Sequence, residues 1–373
     1  MRIALVALLS QLCAFVPADA AEYIATELIV LPAASSQVVG ALNNRGQFVG
    51  GAQIGGSRQR AFIASAFRFE EIAVYPGSYF SAARGINDDG EVVGAANSAD
   101  VVAAFRWTQK GGAQRLPALP ADTTSEAFRI NRYGQAVGYS SGAGGIRAVL
   151  WSRDGAVQEL AGAPKGKYSR ALGINSRGDV VGSAGRAPEA RAFLWTPSGA
   201  KDLGTLPGDG ESEALGLNDA GDIVGWSGGA AGTRAVMWSS GEMRDLGGLE
   251  GAKHSRARAI NARGEVVGDS GNAHRSRAFL WTRVRGMRDL NSLLPAGSRF
   301  VLVEAVAIND QGHIVALGRE HDQHDGENRY ARSDPLRVFL LVPGWRARVR
   351  RAAGRPDPAA FWDDTVMCRS FPP

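Results

Sequence analysis

Seven copies of one short string dictate what this chain can fold into. Each copy has an aliphatic residue, Asn, two variable residues, Gly, one more residue, an apolar pair and a closing small residue. The copies read ALNNRGQFVG, GINDDGEVVG, RINRYGQAVG, GINSRGDVVG, GLNDAGDIVG, AINARGEVVG and AINDQGHIVA. Their asparagines are Asn43, Asn87, Asn131, Asn175, Asn218, Asn261 and Asn309, so the steps are 44, 44, 44, 43, 43 and 48. A period this steady makes each copy one supersecondary unit, which cannot bury its apolar face alone and is stable only against its neighbours. Length by itself would allow two domains, but the repeat occupies nearly the whole chain, and one domain over residues 21–342 is expected.

Two further motifs travel with the string. Phe105-Arg106-Trp107, Val149-Leu150-Trp151, Phe193-Leu194-Trp195, Val236-Met237-Trp238 and Phe279-Leu280-Trp281 each follow an Ala, and each Trp stands 20 positions after its Asn. Asp202-Leu203-Gly204-Thr205-Leu206, Asp245-Leu246-Gly247-Gly248-Leu249 and Asp289-Leu290-Asn291-Ser292-Leu293 close their copies.

Read for periodicity, Ser169 to Ile174 alternates small and aliphatic residues, as a strand does. Ala83, Ala127, Ala171, Ala214, Ala257 and Ala305 all stand four before their Asn, where crowding between converging copies excludes anything larger. Asn175-Ser176-Arg177-Gly178 is a tight hairpin turn: Asn accepts backbone hydrogen bonds, and Gly supplies the positive φ that side chains resist. The glycines at that place are Gly90, Gly134, Gly178, Gly221, Gly264 and Gly312. Asp179 to Gly182 gives a second strand, Arg191 to Trp195 a third and Asp202 to Leu206 a fourth.

Four short strands per period match one blade of a β-propeller. The last copy ends after Val338 to Val342 without a fourth strand, whereas Thr26 to Leu31 stands ahead of the first Asn as an unclaimed one. The expected fold is therefore all-β, a seven-bladed propeller closed by an N-terminal strand completing the last blade, which removes an otherwise exposed sheet edge. An open β-solenoid is the competing architecture. Its coils use shorter periods and need no matched ends.

The linked GIN..G.VVG and AFLW motifs, followed by DLGTLPG at Asp202 to Gly208, resemble the HAF family of extracellular repeats of bacterial secreted proteins. The resemblance spans roughly Leu28 to Val342. It implies an exported repeat protein and brings no established chemistry with it. The His of the family's His-Ala-Phe triplet is replaced here, as in Arg191-Ala192-Phe193.

The termini fit export. Met1-Arg2, an apolar run from Ile3 to Val16, and Ala18-Asp19-Ala20 form a secretory signal with cleavage near Ala20. Cleavage removes Cys13 and leaves Cys368 alone, so no intramolecular disulfide is expected in the mature chain. No later segment reaches the ~20 apolar residues of a membrane span. A soluble monomer, secreted or periplasmic, is the expectation. Residues 343–373 form a basic tail outside the repeat, expected to be poorly ordered, and contribute to the net charge of +5.

Candidate chemistry is sparse. Ser140, Ser227 and Ser270 sit in strings resembling hydrolase and protease serines, but all three stand nine after their Asn and no helix comes next, so they read as structural turn residues. Asn87-Asp88-Asp89-Gly90-Glu91 has calcium-loop ingredients that the other copies lack. In the insert, His321, His324 and Asp325 are candidate metal ligands without a defined geometry. Arg147, Arg191, Arg234 and Arg277 recur in register and could form an arc that binds anionic glycans or phosphates; pairing with acids of the second strand is the plainer alternative. The expected function is non-catalytic binding of a glycan or envelope protein, with no cofactor and no nucleic acid. A polysaccharide hydrolase or lyase, with its site at the axis or the His321 insert, is the alternative.

Overall fold

The computed structural model describes residues 21–28, 37–54, 58–66, 68–98, 101–162, 168–186, 189–272, 275–320 and 336–344. The expected signal segment 1–20, the candidate ligands His321, His324 and Asp325, and the tail from 345 on lie outside the described residues.

Among the described residues the chain is all-β apart from short helical turns such as the 3-10 turn Leu290–Leu293. Five sheets have four strands each; a sixth has eight, two four-stranded repeats joined through one parallel pairing of Ile146 with Tyr168. The repeat thus forms seven four-stranded units, numbered here from one to seven by their asparagines. Unit four is typical, with antiparallel strands Tyr168–Ile174, Val180–Gly185, Arg191–Thr196 and Gly199–Gly204.

The fourth strand departs from expectation. It begins at Gly199, not Asp202, and stops at Gly204, whose φ of 80° turns the chain while Asp202 Oδ1 accepts from the Gly204 amide at 2.8 Å. In unit six the Asp289 to Leu293 motif is not a strand at all: the strand Gly286–Asp289 ends there, and the Asp289 carboxylate caps the 3-10 turn. A side-chain acceptor at these aspartates competes with the sheet for backbone N–H groups and ends the strand early.

Unit seven takes its fourth strand from the other end of the chain. Tyr23–Leu28 pairs antiparallel with Arg337–Pro343, Glu27 lying opposite Phe339. The strand starts three residues earlier than expected, and positions 29–31 lie outside the described residues.

Apolar residues are buried mainly between units. Phe193 and Trp195 of unit four pack with Val137, Ala148 and Leu150 of unit three. Unit seven has such a contact on both sides: Leu302 and Phe339 share a cluster with Val267 and Leu280 of unit six, and Val315 and Leu340 share one with Phe48 and Phe62 of unit one. Burying one such side chain contributes roughly 1.5 to 3 kcal/mol before ordering entropy is set against it.

Small residues allow the units this close. Ala83, Ala127, Ala171, Ala214, Ala257 and Ala305 are all buried in the first strands. Gly182 faces a bulge in its neighbour strand, where a Cβ would meet the Arg170 carbonyl oxygen at 1.9 Å. Polar staples join neighbours as well: the Ala148 amide of unit three donates to Ser169 Oγ of unit four at 2.9 Å, and the Ala192 amide to Ser212 Oγ of unit five at 2.9 Å.

Candidate axial binding site

The hairpin turn between the first and second strands links each unit to the next. Asn175 Oδ1 accepts from the amides of Arg177 and Asp179, both at 3.0 Å, and Gly178 has a φ of 80°. The amide nitrogen of the same side chain reaches the next unit and donates to the Asn218 carbonyl at 3.3 Å. The contact repeats at every step: Asn43 to Asn87, Asn87 to Asn131, Asn131 to Asn175, Asn218 to Asn261, Asn261 to Asn309, and Asn309 back to Asn43. All seven asparagines are buried, with both ends of each amide engaged.

Beside this cycle lies a cavity of about 150 Å³ lined by the first strand of every unit, with Ala41, Ile86, Arg129, Ile174, Leu217, Ile260 and Ile308 among its wall residues. Most of the residues on its wall are aliphatic, but polar atoms make up the larger part of the exposed wall. Arg129 and Arg258 are the cations on it.

Farther up the first strands, five residues before the asparagines and ~16 Å from them at strand rise, the repeat loses its uniformity. Glu126, Arg170, Glu213, Arg256 and Glu304 occupy this position, and Tyr139, Ser183, Trp226 and Asp269 stand beside four of them on the second strands. They link across units. Glu126 accepts from Arg84 Nε at 2.9 Å and from the Tyr139 hydroxyl at 3.2 Å, and Arg170 lies over the Tyr139 ring at 5.1 Å. Glu213 accepts from Ser183 Oγ at 3.1 Å and Trp226 Nε1 at 3.2 Å, while Arg256 lies over the Trp226 ring at 5.6 Å. Arg258 Nε stands between Asp269, at 2.7 Å, and Glu304, at 3.0 Å.

Burial pushes the Glu304 carboxyl above its ordinary range although Arg258 pulls it down, and Asp269 adds to the rise. Desolvation opposes the charge of Arg258, but Glu304 and Asp269 together hold its pKa above the usual value. Burial, then the neighbouring Glu126, raises the Tyr139 phenol. A rim of paired charges and half-buried aromatics is suited to recognising a polar ligand by hydrogen bonds and ring contacts.

The sequence-derived candidates lie elsewhere. Ser140, Ser227 and Ser270 are not turn residues but fully buried members of second strands, accepting from the amides of Leu119, Leu206 and Leu249 at 2.9, 2.9 and 3.0 Å. Two of them donate to buried aspartates: Ser140 to Asp122 at 2.6 Å and Ser227 to Asp209 at 2.7 Å. The arginines in register are ion-paired, yet not with second-strand acids. Arg147 pairs with Asp122 and Glu159, Arg191 with Asp202, Arg234 with Asp209 and Asp245, and Arg277 with Asp289. Glu159, Asp202, Asp245 and Asp289 come from the fourth strands, the outer neighbours of the third, while Asp122 opens the first strand of unit three and Asp209 lies in the connection ahead of unit five. Asp88 and Asp89 of the calcium-like string face Asn44 and Arg45 of unit one.

The axial residues were not singled out from sequence. The available signal was the reverse of uniformity within the repeat: the column five before the Asn holds Ala, Glu, Arg, Glu, Arg and Glu in copies two to seven.

No family model matches the chain, and no curated relative matches it. Solved structures do resemble it. Virginiamycin B lyase from Staphylococcus aureus aligns at 14% identity with a TM-score of 0.54, over 86% of this chain and 99% of that one. The β-propeller domain of the Trilobed protease from Pyrococcus furiosus aligns at 11% identity and a TM-score of 0.51, over 82% and 94% of the two chains. YCF48, solved bound to D1 peptide, aligns at 11% identity and a TM-score of 0.51, over 86% and 96%. At such identities the likeness speaks for fold alone, and the fold is that of a β-propeller.

Proposed function

We propose that the seven four-stranded units are the blades of one closed propeller, and that this ring is an exported, non-catalytic binding scaffold whose ligand, a surface polysaccharide or a protein partner, sits on the axial rim. The observation that carries the reading is the collection of the repeat's irregular residues at one level of the axis, from Glu126 through Trp226 to Glu304, on strands otherwise built alike. A scaffold needs uniform blades; recognition needs the departures from them. Export and kinship with HAF repeats belong to the same proposal and rest on the sequence motifs. The peptide held by YCF48, a protein of similar fold, makes a polypeptide ligand compatible with such a surface.

One observation favours a catalytic alternative: Glu304 is kept above the ordinary carboxylate range beside a second acid, Asp269, which is how a general acid is prepared. A glycan array, a pull-down from envelope extract and a turnover screen, run with wild type and Trp226→Ala, separate the two. Saturable binding without product, weakened at least ~10-fold by Trp226→Ala as the loss of a ring contact predicts, supports the scaffold. Product release that Glu304→Gln abolishes overturns it, and binding indifferent to Trp226→Ala places the ligand away from the rim.

A further inference from the structure

The axial cavity contains a charge that the described residues leave unbalanced. Two before the asparagine, six copies hold Ala41, Gly85, Gly173, Gly216, Ala259 and Ala307, while unit three alone carries Arg129. A long basic side chain therefore stands where the first strands converge and every other unit contributes a hydrogen or a methyl group. One terminal nitrogen of Arg129 donates to the carbonyls of Arg84, at 3.0 Å, and Phe128, at 2.9 Å. Its remaining guanidinium nitrogens have no acceptor among the described residues, and no carboxylate among them lies within 4.0 Å. Arg258, on the same cavity wall, differs in having both Asp269 and Glu304.

Arg129 keeps part of its surface open, and that surface faces the cavity. Protein surrounds the guanidinium otherwise: burial, with the nearby Arg84 adding to it, pushes its pKa down to about 10. It is still a cation at neutral pH. A buried cation with only carbonyl partners is costly, and a counter-ion drawn into the cavity removes that cost.

We propose that the axial cavity is a binding site for a short aliphatic monocarboxylate, held by the free edge of the Arg129 guanidinium. The planar fork matches a carboxylate through two parallel hydrogen bonds, which a spherical halide cannot use. Ile86, Ile174, Leu217, Ile260 and Ile308 place apolar patches among the polar atoms of the wall, and these suit a short alkyl tail. The volume of about 150 Å³ admits an ion of a few heavy atoms with ordered water. This site lies below the rim, and the inference does not depend on what the rim binds.

The test is titration calorimetry of the intact chain with sodium propionate against sodium chloride at matched ionic strength. Wild type should bind propionate saturably, one per chain, and bind it at least ~10-fold more tightly than chloride, the discrimination a bidentate carboxylate contact provides. Arg129→Gln should lose that preference, and Arg68→Gln, at an exposed arginine on the fourth strand of unit one, should keep it. Equal response to the two salts, or undiminished propionate binding in Arg129→Gln, overturns the site. Should Arg129→Gln fail to fold, nitrogen-15 spectra of the arginine side chains in wild type decide: a shifted and exchange-protected Arg129 Nε resonance on adding propionate supports the proposal, and an unmoved one refutes it.

Discussion

The side-chain amide of Asn309 donates to the backbone carbonyl of Asn43 at 3.0 Å across 266 positions of sequence. It is the same bond that joins Asn43 to Asn87 and Asn87 to Asn131 one period apart. The first and last repeats thus meet as any two neighbours do.

The asparagine cycle predicts an unusual ranking of substitutions. Asn175→Ala removes two acceptor contacts to backbone amides and the donor to Asn218, and should cost roughly 2 to 4 kcal/mol. Asn175→Asp keeps the shape but turns a donor into an acceptor facing Asp179 Oδ2 and the Asn218 carbonyl. It should be at least as destabilising as the Ala variant, as read from urea unfolding midpoints. A near-neutral Asn175→Asp would show that the donor contact between units does not matter.

Glycine substitutions should separate crowding from backbone strain. A Cβ at Gly182 meets the Arg170 carbonyl oxygen at 1.9 Å, so Gly182→Ala should cost more than about 3 kcal/mol. Gly241 has a φ of 85° with open space around it, and Gly241→Ala should cost only the left-handed penalty of about 1 to 2 kcal/mol. Thermal melts of the two variants check the order.

Ser227 is predicted to be structural. Ser227→Ala strands the buried Leu206 amide and leaves Asp209 with one donor fewer, a loss of about 1 to 3 kcal/mol. A fluorophosphonate probe should leave Ser227 unlabelled in the folded chain, and labelling would return it to the candidate nucleophiles.

Alkaline stability reports on the N-terminal strand. Burial pushes the Tyr23 phenol up to about 12, and it does the same to Tyr75. The native state then holds these protons more tightly than the unfolded chain does. Stability is whole below pH 10 and falls as pH rises toward 12, by roughly 2 to 3 kcal/mol at full extent for Tyr23 and by less for the more exposed Tyr75, where solvent screens the effect. Tyr23→Phe should reduce that slope and Tyr23→Phe with Tyr75→Phe reduce it further, the raised Tyr139 phenol keeping a share. An unchanged slope in the double variant would contradict the assignment.

The fold was legible because each unit writes its own turn: an Asn whose oxygen binds two amides, then a Gly at positive φ, repeated at one spacing, leaves few alternatives for the strands on either side. The end of the fourth strand was not legible, since Asp202 capping Gly204 and Asp289 capping a 3-10 turn look alike in sequence and differ only through the residues C-terminal to them. The rim was missed for a different reason. Glu126, Trp226 and Glu304 lie at one level of the strands in three different units, and a search for shared motifs passes over the columns where copies disagree. Arg129 shows the same effect at a single position.

The most direct test of the account is the distance between unit seven and unit one in solution. Spin labels on the exposed positions Arg45 and Asp310, with native cysteines replaced, can be compared by double electron–electron resonance with labels on Asp89 and Arg132, one unit apart. A closed ring predicts a narrow distribution for Arg45 and Asp310 as short as that of the neighbouring pair. A long or broad distribution, with the reference pair still short, would mean that the blades form an open arc.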